Sequence, residues 1–305
     1  PRCLMKRNSP ARFAKKEVSD CRWLDAFLAY LESARNVSPR TVTAYTTDLI
    51  QFFEFLKEES GLDALATVDP ELVEVPDVRH FMGRLLDSGI KPRSIARKLA
   101  SVKSFYRYLL DTGKIDRSPL SLVLTPRLDR KMPEFLSEEE ASRLFDQFLP
   151  SESKSSGEED RRKAGERRFE LSRDRAVLEV LYGCGLRLSE VTGLEIADVD
   201  LSHGFLKVTG KGRKQRIVPL GEPAAEALRN YFEVRRNFFR IFSKGDAGAL
   251  THVFLTKKGK KIYPMLVQRI TSKYLTPVTE QKERNPNILR QTLYNVENQS
   301  GEPRW

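Results

Sequence analysis

Residues 181–221 constrain the fold of this chain more than any other part of its sequence. Arg187 stands after a small-residue turn and before an amphipathic run, a pattern that predicts a helix start. Two short strands are predicted further on, 205–208 and 215–218, with a glycine-rich turn between them. The spacing therefore predicts a β-hairpin whose tip exposes Lys211, 24 residues after Arg187.

These two cations have complementary chemistry towards a phosphodiester. The guanidinium of Arg187 presents a rigid fork that can bind two phosphate oxygens at once. The ammonium of Lys211 is a mobile point charge that can give up a proton. Together the two side chains suit a reaction at a phosphate group.

The run G-L-R-L-S-E around Arg187 and the run V-T-G-K-G-R-K-Q-R-I-V-P-L-G around Lys211 resemble the catalytic core of tyrosine recombinases almost residue for residue. The whole chain resembles the Xer branch of that family. The resemblance implies that Arg187 clamps the scissile phosphate and that Lys211 protonates the leaving 5′-oxygen. An exposed Arg and Lys on a basic surface is the alternative, which two linked motifs at the family's spacing disfavour.

The chemistry of the family is implied by the same resemblance. A Tyr hydroxyl attacks the phosphodiester without help from a metal, leaving a 3′-phosphotyrosyl link and a free 5′-hydroxyl. Two Arg, one Lys and two His or Trp donors stabilise the charge of the transition state. The chain is therefore expected to be a site-specific DNA recombinase that acts in chromosome-dimer resolution or in element integration. No cofactor and no metal are expected.

The second family motif, H-x-x-R-H, is degenerate in this chain. Its nearest match is 287–291, in which Arg290 aligns with the second catalytic Arg. Asn287 stands in the position of the first His, and Gln291 replaces the second. Both substitutes donate hydrogen bonds, but neither exchanges a proton near pH 7.

Only 15 residues follow Arg290, and they show no amphipathic period. Tyr294 would share a helix with Arg290, whereas the family's nucleophile lies on a separate helix, so we do not expect Tyr294 to be the nucleophile. The chain as given is therefore expected to be inactive. A truncated or frame-shifted recombinase would explain this, and a non-catalytic DNA-binding or regulatory paralogue is the alternative.

The net charge of +11 and the isoelectric point near 9.5 favour a polyanionic partner. The basic residues cluster between 89 and 114 and between 257 and 273, as binding to a phosphate backbone requires. An RNA-binding protein is disfavoured because its usual aromatic or glycine-rich signatures are missing. The residues predicted to bind DNA are Lys91, Arg93, Arg97, Lys103, Arg127, Arg130, Lys131, Arg213 and Lys214.

The expected fold class is mainly α with a small β-sheet. A four-helix SAM-like DNA-binding domain precedes a mixed α/β catalytic domain of the tyrosine-recombinase type, which is expected to be incomplete at its end. The polar segment within the second domain is expected to be a mobile surface loop. The predicted divisions are a basic tail at 1–17, the helical domain at 18–115, a linker at 116–136, the catalytic domain at 137–305 and its polar insertion at 150–169.

Cysteine usage and hydropathy give the expected location. Three widely spaced cysteines fit neither a disulfide framework nor a zinc site, which indicates a reduced, cytoplasmic protein. No apolar run approaches the ~20 residues of a membrane span, so no membrane partner is expected. The family resemblance implies a short, partly palindromic duplex as partner and a tetrameric synapse with itself or a paralogous recombinase.

Overall fold

The computed structural model describes residues 21–33, 37–126, 134–148, 158–210, 212, 214–242, 251–282 and 284–300. The chain divides into two units, Pro1–Arg130 and Lys131–Trp305, called here the N-terminal unit and the catalytic unit. Each unit has its own hydrophobic core. No helix in the described part of the chain is long and apolar enough to cross a membrane.

In its described residues the N-terminal unit is helical. Ser38 caps the second helix as the sequence predicts, because its hydroxyl accepts a hydrogen bond from the Thr41 amide at 3.3 Å and Pro39 occupies the first turn. The helices are α1 (Arg22–Ser33), α2 (Pro39–Glu59), α3 (Val75–Asp87) and α4 (Pro92–Asp111).

Aromatic side chains form the centre of this core. Phe52, Phe53 and Phe105 are fully buried and Tyr106 is 1% exposed. Edge-to-face contacts join Phe53 to Phe105 at 5.6 Å and Phe105 to Tyr106 at 5.5 Å between ring centroids. These aromatic side chains therefore belong to the core of the N-terminal unit.

The predicted linker differs from the structure at its start. Residues Pro119–Leu122 form a 3₁₀ turn, and Leu120 and Val123 are buried against the helices of the N-terminal unit. Lys103 of α4 fixes the following segment, since its ammonium donates to the Val123 carbonyl at 3.0 Å. An apolar residue at every third position is enough to hold this proline-containing segment on the core.

The catalytic unit begins, in its described residues, with a capped helix. Ser137 accepts from the Glu140 amide at 3.1 Å while Glu140 accepts from the Ser137 amide at 2.9 Å, which together form a capping box. The helices are α5 (Glu138–Asp146), α6 (Glu158–Gly183), α7 (Leu188–Gly193), α8 (Glu222–Phe242), α9 (Pro264–Leu275) and α10 (Pro286–Ser300).

The predicted polar loop at 150–169 is wrong for its second half, because α6 begins at Glu158. Ion pairs at helical spacing join Lys163 to Glu159 at 2.8 Å and Arg162 to Glu166 at 3.4 Å. Phe169 is fully buried and anchors this turn of the helix in the core. Residues 150–157 lie outside the described part.

One small antiparallel sheet accompanies these helices in the described residues. Its strands are β1 (Val199–Asp200), β2 (Phe205–Thr209) and β3 (Gln215–Pro219), in the order β1-β2-β3. The β2–β3 register pairs Thr209 with Gln215 and Phe205 with Pro219. The expected fold class, mainly α with a small sheet, is confirmed.

Candidate active site

The turn between α6 and α7 places Arg187. Gly185 adopts a φ of +58°, a left-handed conformation that glycine reaches without strain. Arg187 follows as the N-cap residue of α7, and its amide donates to Glu190 Oε2 at 2.8 Å. The side chain of Arg187 remains 54% exposed, so a ligand can reach it.

Glu190 is the buried centre of a cluster of charges. Its side chain is 1% exposed and accepts from Arg187 Nη1 at 3.0 Å and from Arg216 Nη1 and Nη2 at 2.7 and 2.9 Å. Burial acts to raise the pKa of Glu190, but hydrogen bonds from Arg216 and Arg187 outweigh it and lower that pKa to about 2. Glu190 is therefore ionised at neutral pH and fixes both guanidinium groups.

Arg216 is a member of this cluster that sequence reasoning missed. It lies on β3 between the exposed residues Gln215 and Ile217, so it shares a face with Val218. Alternation along a strand puts Arg216 on the inward face, where a charge requires a partner. A charged residue at an inward-facing position of a strand is the signal by which the sequence could have revealed Arg216.

The hairpin β2–β3 starts beside the same cluster. The Gly210 amide donates to the Lys214 carbonyl at 2.8 Å and closes the base of the turn. A Cβ atom added to Gly210 would lie 3.6 Å from Arg216 Nη1 and 3.7 Å from Glu190 Oε1. The predicted general acid Lys211, like Arg213, lies outside the described residues, but its neighbour Gly210 lies beside the charge cluster.

The last described helix, α10, brings Arg290 to the turn that precedes Arg187. A Cβ atom added to Gly185 would lie 2.9 Å from Leu293 Cδ2 and 4.0 Å from Arg290 Cγ. An alanine at this position would have to displace the Leu293 side chain and adopt a strained left-handed backbone. Arg290 Nε is buried and has no hydrogen-bond acceptor among the described residues.

The residues of the predicted degenerate motif lie on α10. Asn287 is exposed in the first turn of α10, and Gln291 is half-buried. Tyr294 lies one turn beyond Arg290, whose Nη2 donates to the Tyr294 hydroxyl at 2.8 Å while the guanidinium lies 5.2 Å from the ring centre. Tyr294 therefore lies on the helix of Arg290, and this helix continues to Ser300 although the sequence after Arg290 shows no amphipathic period.

The cations predicted to bind DNA in the N-terminal unit have different surroundings. Lys91 and Arg93 are exposed at the start of α4. Arg97 is paired with the buried carboxylate of Asp48, and the ammonium of Lys103 donates to the Val123 carbonyl and to Thr125 Oγ1. On the catalytic unit Lys214 is exposed. The other residues predicted to bind DNA from the linker, Arg127, Arg130 and Lys131, lie outside the described part.

Family patterns match both units. The N-terminal SAM-like domain of phage integrases matches residues 24–113, and the phage integrase family pattern matches residues 164–301. The observed architecture, a helical unit followed by a helical unit with a small antiparallel sheet, agrees with these two matches. The chain belongs to the phage integrase family of tyrosine recombinases and is a Xer-like site-specific recombinase by sequence.

Individual relatives agree with this assignment. The tyrosine recombinase XerC of Chlorobaculum tepidum is 75% identical over 289 residues, which cover 95% of this chain and 86% of the relative. The XerC of Chlorobaculum parvum is 67% identical over 91% of this chain and 82% of that relative. The solved structure of a XerH site-specific recombinase bound to palindromic difH substrate shares the fold, with a TM-score of 0.63 at 14% identity, covering 95% of this chain and 78% of that one.

Proposed function

We propose that the catalytic unit binds the scissile phosphate of a DNA duplex between Arg187 and Arg290, with Lys211 protonating the leaving 5′-oxygen. The observation that supports this most directly is the packing of α10 against Gly185, which brings Arg290 to the turn carrying Arg187. Membership of the recombinase family supplies the reaction to which these groups are assigned. The division into a DNA-holding helical domain and a catalytic domain belongs to the same proposal.

The charge cluster prepares Arg187 for this role. Glu190 remains ionised at neutral pH and fixes one edge of the guanidinium, so the outer N–H groups of Arg187 point to one place before a phosphate arrives. Two arginines surround one carboxylate, so the cluster carries a net positive charge. That charge stabilises the negative charge that develops in the transition state.

The proposed partner is double-stranded DNA with a short, partly palindromic site, bound in the cytoplasm. The net charge of +11 and the exposed Lys91 and Arg93 of the N-terminal unit support contacts with the phosphate backbone. The XerH relative, which binds a palindromic substrate, supports a two-fold site. A tetrameric synapse with itself or a paralogous recombinase follows from the family reaction, which exchanges strands between two such sites.

We further propose that the 305-residue chain binds DNA without cutting it. Asn287 and Gln291 occupy motif positions at which the family uses proton-exchanging donors, and neither amide can replace an imidazole. The Tyr294 hydroxyl is bound to Arg290 on the same helix rather than offered from another element. A non-catalytic DNA-binding or regulatory paralogue is the second candidate function, which these same substitutions favour.

A nicked suicide duplex tests cleavage by the full chain. Such a substrate traps any phosphotyrosyl link, because the short strand with the free 5′-hydroxyl diffuses away after cleavage. We expect a retarded duplex in native gels and no covalent adduct in denaturing gels. A matched Tyr294→Phe variant is the control: an adduct formed by the wild type and absent from this variant would show that Tyr294 is a nucleophile, and the proposal of a non-cutting chain would be wrong.

A further inference from the structure

The most unusual group of the N-terminal unit is a carboxylate with no exposed surface. Asp48 lies in the middle of α2, and its side chain is 0% exposed. Its donors among the described residues all come from α4: Arg97 binds both carboxylate oxygens, with Nη2 to Oδ1 at 2.8 Å and Nη1 in contact with Oδ2. Lys98 Nζ donates to Oδ1 at 3.1 Å, and Ser101 Oγ donates to Oδ2 at 2.8 Å.

The two cations of this cluster differ in what they present to solvent. Lys98 is 12% exposed and gives a second hydrogen bond to Gln51 Oε1 at 2.6 Å, so its charge is enclosed within the unit. Arg97 is 52% exposed. A guanidinium has five N–H donors, of which Asp48 accepts two, and the other three have no acceptor among the described residues. Arg97 is thus fixed at one edge and available at the other.

The available edge of Arg97 lies on a basic face of α4. Arg93 precedes Arg97 by one helical turn, so the two side chains share a face of the helix. Lys91 caps the same helix and is exposed. The position after Arg97 on this face is the small residue Ala100, which is also exposed and leaves room for close approach. A duplex backbone could therefore reach the three cations together.

We propose that Asp48 is a positioning residue for DNA binding: it holds the Arg97 guanidinium so that its outer N–H groups bind one phosphate of the duplex. The proposal rests on the proposed DNA-binding function. A flexible arginine loses side-chain entropy when it binds a phosphate, and a guanidinium that is already fixed loses less. Asp48 therefore improves the contact although its own charge is of the wrong sign for binding a polyanion.

Removing the charge of Asp48 tests the proposal, because general electrostatics and the positioning role predict opposite changes in DNA affinity. Asp48→Asn makes the full chain one charge more positive, so general electrostatics predicts tighter binding of DNA. Positioning predicts weaker binding: loss of one phosphate contact lowers the slope of log K against log salt by about 0.9, which is roughly eightfold in affinity at 0.1 M salt. The measurement is fluorescence anisotropy of a short labelled mixed-sequence duplex over a range of salt.

Two matched variants separate positioning from charge. Asp111→Asn removes an exposed acid from the end of the same helix, where it pairs with Arg107 at 3.4 Å, and should leave affinity unchanged or slightly higher. Arg97→Ala should reproduce the loss and the lower slope of Asp48→Asn. In the Arg97→Ala background, Asp48→Asn should cause no further loss, because the group that it positions is gone.

The outcomes are distinct. If wild-type protein fails to bind the duplex, the proposed DNA-binding function fails. If the wild type binds with a normal salt slope and Asp48→Asn binds as tightly or more tightly, the positioning role alone is overturned. Should Asp48→Asn not fold by circular dichroism, Arg97→Lys decides the matter: it keeps the charge but not the bidentate geometry, and wild-type affinity in that variant would also overturn the proposal.

Discussion

Both units of this chain hold a half-exposed arginine on a buried carboxylate. In the N-terminal unit Asp48 is 0% exposed and holds Arg97, which is 52% exposed. In the catalytic unit Glu190 is 1% exposed and holds Arg187, which is 54% exposed. The two pairs are alike in burial and in the shortness of their hydrogen bonds, 2.8 and 3.0 Å, but they are built over different lengths of chain.

The Glu190 pair is local: Arg187 lies three residues before Glu190, and the same carboxylate caps the helix that the two residues begin. The Asp48 pair joins two helices across 49 residues. A local pair forms whenever its helix forms, whereas a distant pair depends on the packing of the whole unit. The orientation of Arg187 should therefore survive changes elsewhere in the core better than that of Arg97.

Glu190 gives the largest expected effect in this comparison. Its pKa is lowered from an ordinary 4.5 to about 2, so its ionised form stabilises the folded state above pH 4.5 and this contribution is lost as the pH falls towards 2. The shift corresponds to about 3 kcal/mol. Glu190→Gln should lower the free energy of unfolding by a similar amount at pH 7 and remove this pH dependence, as measured by urea denaturation.

A matched control is Glu222→Gln, which removes an acid that is 77% exposed and pairs with Arg229. Such surface pairs contribute roughly 0–1 kcal/mol, so this variant should remain close to the wild type at every pH. Fluorescence of Trp23 in a Trp305→Phe background reports the N-terminal unit separately. A uniform loss at pH 2 and pH 7 in Glu190→Gln would contradict the ionic origin of the effect.

A third buried carboxylate, Glu179, has no close hydrogen-bond donor in the part of the chain that the structure describes. Glu179 is 5% exposed, its nearest cation is Arg175 at 3.9 Å, and Glu226 repels it. Burial is the main cause that raises the pKa of Glu179 to about 7. A raised pKa reverses the sign of the pH dependence. The contribution of Glu179 to the stability of the folded state is complete below pH 4.5 and is lost as the pH rises through 7.

Glu179→Gln should therefore stabilise the catalytic unit by about 2–3 kcal/mol at pH 8 and have little effect at pH 4. Thermal unfolding at the two pH values measures the difference. Equal effects at both pH values would show that the side chain acts through packing rather than through its charge. An unstable variant at pH 8 would mean that Arg175 stabilises the carboxylate more than their separation suggests.

Sequence reasoning found the local features and missed the distant ones. The caps at Ser38 and Ser137 and the turn that carries Arg187 were predictable, because each depends on residues within one helical turn. Asp48 was not predictable as a partner of Arg97, since nothing in the sequence aligns residues of two separate helices. The same reason explains the missed Arg216, whose partner Glu190 lies on another element.

The helix at 158–169 was missed for a different reason. Its composition is polar and mixed in charge, which usually indicates a loop. Here acids and bases alternate at helical spacing, as in the pair of Lys163 and Glu159, and Phe169 anchors the segment in the core. Composition alone does not record the spacing of acids and bases along the chain, so the pattern of charges was more informative than their number.

The smallest expected effect concerns the neutral donor to Asp48. Ser101 is fully buried, and its hydroxyl donates to Asp48 Oδ2 at 2.8 Å while Arg97 and Lys98 supply the charged donors. Ser101→Ala removes one neutral hydrogen bond and leaves the carboxylate paired, which should cost about 1 kcal/mol in urea denaturation followed by Trp23 fluorescence. Because both cations remain bound to Asp48, the affinity for duplex DNA and its salt slope should stay at the wild-type values. A loss comparable to that of Asp48→Asn in either measurement would mean that the hydroxyl, rather than the two cations, fixes the carboxylate, and the likeness between the two arginine–carboxylate pairs would no longer hold.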